Sequence, residues 1–251
     1  ASDLDSDRDV DIFDYNIYAI VSDGDLMEGI SSEAASIAGH LKLGNLIYLY
    51  DDNHISIEGD TNITFTEDTV KRFEAFGWHV QVVEDGNDVS KVSEAIEKAI
   101  IEKDRPSIIK VRTHIAFGSP NKADTAGAHG SPLGDEELRL TKINLGWDPD
   151  KSFYVPDEVL NFYRSTGKKG KSKNAEWNKL FSEYKKEFPE LAEEYLNLCE
   201  NKFHEGWTDA LPVFDPKDGE VATRSASGKT INAIAKYFPN MIGGSADLEP
   251  S

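Results

Sequence analysis

The sequence predicts an α/β fold: a parallel sheet flanked by helices, followed by a linker and the start of a second α/β domain. Three observations predict it. Runs of β-branched and aromatic residues alternate with helical stretches from Tyr15 to Arg112. The helical stretches carry apolar residues at three- and four-residue spacing, so each has one face to bury. Breakers such as Gly44, Gly77 and Pro106 stand at the junctions. Strand, helix, strand repeated in this way is the mark of parallel strands joined by crossover helices.

Tyr15 to Val21 reads as a buried strand, and Ser22-Asp23-Gly24-Asp25 breaks it. A helix is expected from about Leu26 to Leu43, with Ile30, Ala34, Ile37, Ala38 and Leu41 on its apolar side and Gly44-Asn45 at its end. Leu46 to Tyr50 is the next strand, Thr66 to Phe76 a helix, and Trp78 to Val83 a strand. Asp88 to Lys103 is an amphipathic helix, and Ser107 to Arg112 is a strand. The polar, glycine-containing stretch from His114 to Gly134 reads as a long loop, a kind that is often functional. Helices are expected over Asp135 to Asn144, Pro156 to Arg164 and Asn174 to Glu200, the last interrupted at Pro189. Glu183 to Glu187 reads as a solvated face. Asn201 to Glu220 reads as a connector, Ser225 to Tyr237 as a helix, and Met241-Ile242 as the start of a short strand. A helix and one strand cannot close a second domain, and the first residue is Ala1, so a segment of something longer is expected.

Composition narrows the classes. There are 27 Lys and Arg against 46 Asp and Glu, a formal charge of −19. A polyanion such as nucleic acid or an anionic membrane is repelled by that balance, so neither is an expected partner. At 39% hydrophobic residues the chain has enough apolar material for a core. No apolar run approaches the ~20 residues of a membrane helix. The single Cys199 forms no internal disulfide and builds no thiolate zinc site, which fits a reducing cytoplasm. The acidic opening from Asp3 to Asp11 lacks the Gly and Glu of a calcium loop and reads as a solvated segment.

In parallel sheets, ligands sit beyond the carboxyl ends of the strands. That directs attention to Ser22–Gly24, to Asp51–Ile57 and to the stretch after Arg112. Asp23 offers a carboxylate and Asn53 an amide oxygen, two hard donors of the kind that hold magnesium or calcium. Gly24 lets its backbone N–H approach an anion at a helix start. Taken singly, Asp23 is more simply a helix cap and Asn53 a turn former. Together, one crossover apart at the same sheet edge, they make a site for a metal-bound diphosphate.

The text around these residues resembles transketolase. The resemblance lies in Ser22-Asp23-Gly24-Asp25-Leu26-Met27-Glu28-Gly29, in Tyr50-Asp51-Asp52-Asn53, and in Ala75-Phe76-Gly77-Trp78. It continues in His129-Gly130-Ser131-Pro132-Leu133, Ala222-Thr223-Arg224 and Gly243-Gly244-Ser245-Ala246-Asp247-Leu248. It runs from Tyr15 to Ser251 in the family's order.

The resemblance implies the thiamine diphosphate-binding fold. Residues 1–188 would be the diphosphate-binding domain without its N-terminal part, 189–220 a linker, and 221–251 the beginning of the pyrimidine-binding domain. It implies transfer of a two-carbon glycolaldehyde unit from a ketose phosphate to an aldose phosphate, in the pentose phosphate pathway. Thiamine diphosphate and a divalent cation, usually Mg2+ with Ca2+ or another ion as alternatives, would be the cofactors. The active site would lie at the subunit interface of a homodimer. Position-matching implies that Asp23, Asn53 and the carbonyl of Ile55 ligate the metal, and that Gly24 and Asn53 touch the diphosphate. Ile57 would pack on the cofactor rings. His129 would bond the diphosphate near the reacting carbons, Asp247 would lie close to the thiazolium, and Glu28 would join a relay across the interface. Arg224 and Ser251 would grip the sugar phosphate, the arginine through a charge-assisted fork.

Two departures from the family's text carry consequences. Ser22 stands where a glycine is usual, which a serine tolerates only if no positive φ is needed there. The family's early histidines and its cofactor-activating glutamate fall outside this sequence, so the 251-residue chain is expected to be inactive alone. An alternative is a non-catalytic, transketolase-like module or the subunit of a split enzyme that binds a partner chain. A relative using formaldehyde as acceptor is a third reading. Ser227-Gly228-Lys229-Thr230 looks like the tail of a phosphate loop but lacks the earlier glycine, which Thr223 replaces.

Overall fold

The computed structural model describes residues 12–203 and 205–244. They fall into two compact units, one of Phe13–Leu160 and one that holds residue 12 and residues from 161 onward.

The first unit is built on a four-stranded parallel sheet. Its strands are β1 (Ile17–Ser22), β2 (Leu46–Asp52), β5 (His79–Val83) and β6 (Ser107–Arg112), in spatial order β1-β2-β6-β5. Between β2 and β5 lies a small antiparallel pair, β3 (Ile55–Ser56) and β4 (Gly59–Asp60). In the sheet Ser22 stands opposite Asp51 and Asp52 opposite Arg112, so three strands end at one edge.

Helices cover both faces. On one side α1 (Asp23–Met27), α2 (Gly29–His40) and α3 (Thr69–Ala75) close over Tyr50, Phe73, Trp78 and Ile108. On the other, α4 (Val89–Ile101) places Ala95 and Ala99 against Ile47, Ile109 and Val111. Ile108 and Ile109 are adjacent in sequence and serve opposite cores, as the strand period of two requires. Each such buried side chain contributes about 1.5–3 kcal/mol. The Trp78 indole donates to the carbonyl of Ala35 at 2.8 Å, which locks α2 to the start of β5.

The helix expected from Leu26 to Leu43 is two helices. Ser22 caps α1 in a capping box: Asp25 accepts from the Ser22 N–H at 2.8 Å, and the Ser22 hydroxyl accepts from the Asp25 N–H at 3.4 Å. This local chemistry starts a helix at Asp23. Extended backbone at Glu28 then ends it and starts α2.

The loop from His114 to Gly134 holds a single 3-10 turn, Ala126–Ala128, and leads to α5 (Asp135–Asn144). Glu137 of α5 ties the loop down by accepting from the Asn121 N–H at 2.8 Å and the Asn121 amide at 2.9 Å.

Two helices were expected between Pro156 and Pro189, and one is formed. α6 runs unbroken over Asp157–Glu187, through Gly167 and Gly170. Two glycines cost about 1 kcal/mol each in a helix, but lysines, good helix formers, surround them. Ser172 adds a bond to Glu176 at 2.9 Å one turn on. As expected, Pro189 separates α6 from α7 (Pro189–Cys199), where it takes the first helical position.

Tyr184 corrects the reading of Glu183–Glu187 as a solvated face. It is 2% exposed and lies beside the rings of Phe181 and Phe188. Trp177, Phe181 and Tyr184 recur at three- and four-residue spacing as the apolar stripe of α6, and Phe188 follows just past its end. In the same unit α8 spans Thr223–Ile234 and a 3-10 turn follows over Ala235–Tyr237. Ser227–Thr230 lies inside α8, so no phosphate loop forms there. The strand expected at Met241-Ile242 is absent; that stretch is irregular and Ile242 is 96% exposed.

Candidate functional site

The carboxyl ends of β1 and β2 define the site. They are hydrogen-bonded neighbours running the same way, so Asp23 and Asn53 emerge at one rim. Asp23 is the first residue of α1 and not its cap; Ser22 fills that role with φ −112°. The serine thus sits in extended backbone and needs no glycine.

Asp23 is 2% exposed. Its Oδ1 accepts from the Tyr50 hydroxyl, and its Oδ2 accepts from the His54 backbone N–H at 3.2 Å. Burial pushes the Asp23 carboxyl above its ordinary range; the Tyr50 bond opposes this, and the nearby Asp52 charge adds to it. Burial and the same two carboxylates hold the Tyr50 phenol well above its ordinary value, so it remains a donor.

Asp52 is also buried, at 4% exposed, but its charge is matched. Lys110 Nζ lies 3.3 Å and His54 Nε2 3.2 Å from Asp52 Oδ2. Among the described residues no cationic side chain ion-pairs with Asp23. The two buried carboxylates therefore differ: one is balanced by protein and one is not.

Asn53 follows Asp52. Its amide donates to Asp51 Oδ2 at 3.0 Å, and its Oδ1 accepts from the Ile55 N–H at 2.9 Å. The plainer reading of Asn53 as a turn former is thus correct as far as it goes. One lone pair of that oxygen serves the turn and the second is left. His54 takes a left-handed conformation, φ 63°, which aims its N–H at Asp23 and its ring at Asp52.

A cleft of about 520 Å³ opens here. Asp23, Gly24, Glu28, Asn53, Ile55, Ile57 and His129 all line it. Every sequence-predicted site residue of the first unit that the structure describes is therefore in one place. Ile57 is 71% exposed on the β3–β4 turn, an apolar side chain without a covering partner in this unit. His129 arrives from the long loop, just after the 3-10 turn and just before Gly130 at φ 71°. A Cβ built on Gly24 meets only the Ser22 hydroxyl, at 3.9 Å. The protein itself leaves room for a side chain there.

Arg224 lies in the second unit, exposed, in the first turn of α8. Asp247 and Ser251 lie outside the described residues. Sequence reasoning gave no role to Tyr50, Asp52, His54 or Lys110. The available signal was a tyrosine near the end of a buried strand, whose hydroxyl must find a partner.

The family "Transketolase, thiamine diphosphate binding domain" matches residues 2–203. The chain belongs to the transketolase family. A transketolase of Nostoc sp. is 49% identical over 244 residues, 97% of this chain and 36% of the relative. One of Geobacillus stearothermophilus is 48% identical over 242 residues, 96% of this chain and 36% of the relative. Among solved structures, transketolase from Leishmania mexicana superposes with a TM-score of 0.85 at 36% identity, over 96% of this chain and 35% of that one. A Pichia stipitis transketolase in complex with sedoheptulose 7-phosphate gives 0.82 at 41% identity, over 94% of this chain and 36% of that one. The chain therefore spans about a third of the length of the transketolases it matches. The parallel sheet flanked by helices and the family bear out the predicted α/β sheet. Among the described residues no helix is long and apolar enough to cross a membrane.

Proposed function

We propose that this chain supplies the diphosphate- and cation-binding wall of a transketolase. The complete enzyme moves a two-carbon unit from a ketose phosphate to an aldose phosphate. The observation that carries this reading is the convergence of Asp23, Gly24, Asn53 and His129 on one cleft in a chain of this family.

The residues suit the group. Asp23 is a buried carboxylate with no cationic partner among the described residues, and a divalent ion would supply that charge. Among the described residues no three His, Cys, Asp or Glu side chains cluster for a metal, so the ion would rely on amide and carbonyl oxygens beside Asp23. That donor chemistry favours a hard ion such as Mg2+ or Ca2+. Asn53 and the Ile55 carbonyl would complete the protein's share. Gly24 would bring its N–H to the diphosphate, and Ile57 would exclude water beside the rings. His129 would donate an imidazole N–H to the diphosphate and exchange protons near the sugar. Thiamine diphosphate, when bound, supplies the carbanion chemistry that side chains lack.

The reading extends to four further residues. Arg224 and Ser251 would hold the sugar phosphate, Asp247 would stand near the thiazolium, and Glu28 would reach across a homodimer interface. Residues 1–188, 189–220 and 221–251 would be diphosphate domain, linker and start of the pyrimidine domain. A cytoplasmic setting suits the chemistry.

Calorimetric titration with thiamine diphosphate and Mg2+ tests the reading. Asp23→Ala should weaken cation-dependent binding far more than Asp25→Ala, because the Asp25 carboxylate is engaged by the Ser22 N–H and hydroxyl in the capping box. Equal affinities in the two variants would contradict the assignment.

A further inference from the structure

We infer that Tyr50 is a positioning residue: its hydroxyl fixes the direction in which the Asp23 carboxylate presents itself to a cation in the cleft. The inference rests on the cofactor-binding reading above and goes beyond it to a side chain that touches neither cation nor diphosphate.

Tyr50 is 2% exposed, and its ring is held in the core with Leu26, Phe73 and Trp78. A close-packed ring of this kind has no room to swing. Its hydroxyl is therefore a donor fixed in space, and it donates to Asp23 Oδ1. The His54 N–H holds the other oxygen, Oδ2, at 3.2 Å. Two donors on two oxygens remove the carboxylate's rotation about its last bond. Each oxygen still has acceptor capacity left for the cleft.

The strand register explains why this residue does it. Tyr50 stands opposite Val21, two residues before Asp23 on the neighbouring strand. One strand, β2, therefore leads to Asn53 in the cleft and also carries the donor that orients Asp23, the residue just after β1. Lys110 completes the division of labour. Its Nζ lies 3.3 Å from Asp52 Oδ2 and 5.8 Å from the Tyr50 ring centroid, so its charge goes to Asp52. Among the described residues Asp23 receives hydrogen bonds that orient it but no ion pair that would cancel it. This is how supporting shells of metal sites work: partners behind the ligand set its aim.

Tyr50→Phe removes the hydroxyl and keeps the ring. We expect the Mn2+ dissociation constant, measured by calorimetry and by electron paramagnetic resonance at saturating thiamine diphosphate, to rise about 10- to 100-fold. Far-ultraviolet circular dichroism should be unchanged. An unchanged Mn2+ affinity with only a lowered melting temperature would overturn the inference and leave the hydroxyl as a satisfied core group. Asp23→Ala, run alongside, separates the two levels: if it leaves Mn2+ affinity intact, the cofactor reading itself has failed. A second measurement needs no variant. In the unmodified chain labelled at the tyrosine ζ carbon, saturation with Mg2+ and thiamine diphosphate should shift the Tyr50 resonance and leave that of Tyr18, on the opposite strand's exposed side, in place. A stationary Tyr50 resonance at saturation would also overturn it.

Discussion

The backbone N–H of His54 donates to the Asp23 carboxylate at 3.2 Å, across 31 residues of sequence. This bond joins the loop after β2 to the helix start after β1. It depends on His54 standing at φ 63°, a conformation that costs an ordinary residue on the order of 1 kcal/mol. His54→Gly relieves the strain and keeps the N–H but removes the ring from Asp52. It should therefore leave cation affinity within about threefold. His54→Val cannot hold the left-handed conformation comfortably and should weaken the affinity more than His54→Gly does. Calorimetric Mg2+ titration of both variants compares them, and the reverse order would contradict the role given to this loop.

Acid should act on the first unit through His79. Burial is the main cause that holds its imidazole pKa below the ordinary value, and its Nδ1 lies 3.1 Å from the Ser107 hydroxyl. A depressed folded-state pKa means that the unfolded chain binds the proton more readily. The stability contribution is thus present above about pH 6.5 and is lost as pH falls through the lower folded value. Thermal melts of the unmodified chain and of His79→Gln between pH 7.5 and 5 should diverge, with the variant showing the flatter dependence. Parallel curves would show that His79 is not the titrating group.

Two glycines should respond oppositely to alanine. A Cβ on Gly44 falls 1.9 Å from the carbonyl oxygen of Lys103, a backbone atom that cannot step aside. A Cβ on Gly29, at the start of α2, meets nothing within 4 Å. Gly44→Ala should destabilise the chain by about 3 kcal/mol or more, at the upper end for overpacking. Gly29→Ala should stabilise it by about 0.5 kcal/mol. Urea unfolding midpoints measure both signs.

Arg224 predicts a substrate pattern and not a simple loss. In a chimera where this chain replaces the matching segment of the Nostoc transketolase, Arg224→Ala should raise KM for phosphorylated sugars about tenfold or more. Non-phosphorylated donors should be spared, because the proposed contact is to the phosphate. Equal losses on both substrate types would make Arg224 structural.

The fold was legible because each strand of the sheet is an apolar run bounded by a breaker, as at Ser107–Arg112 after Pro106. The site was legible to the extent that it follows from where strands end, which put Asp23 and Asn53 on one rim. What sequence did not convey was side-chain chemistry acting over one or two turns. The Ser22–Asp25 capping box split an expected single helix. The Asn53 turn and the β3–β4 pair shaped the far wall of the cleft. At Tyr184 charged neighbours hide an aromatic stripe that runs along α6 from Trp177 through Phe181. Tyr50 and Lys110 were silent because their partners are 27 residues away for the hydroxyl and on another strand for the amine.

The claim on which most depends is that Asp23 and Asn53 hold one divalent cation between two strand ends. Crystals grown with Mn2+ and thiamine diphosphate, measured at the manganese edge, test it directly. We expect one anomalous peak within about 2.5 Å of an Asp23 carboxylate oxygen and of the Asn53 amide oxygen. Bound thiamine diphosphate with no peak there, or with its metal ligated elsewhere, would contradict the account.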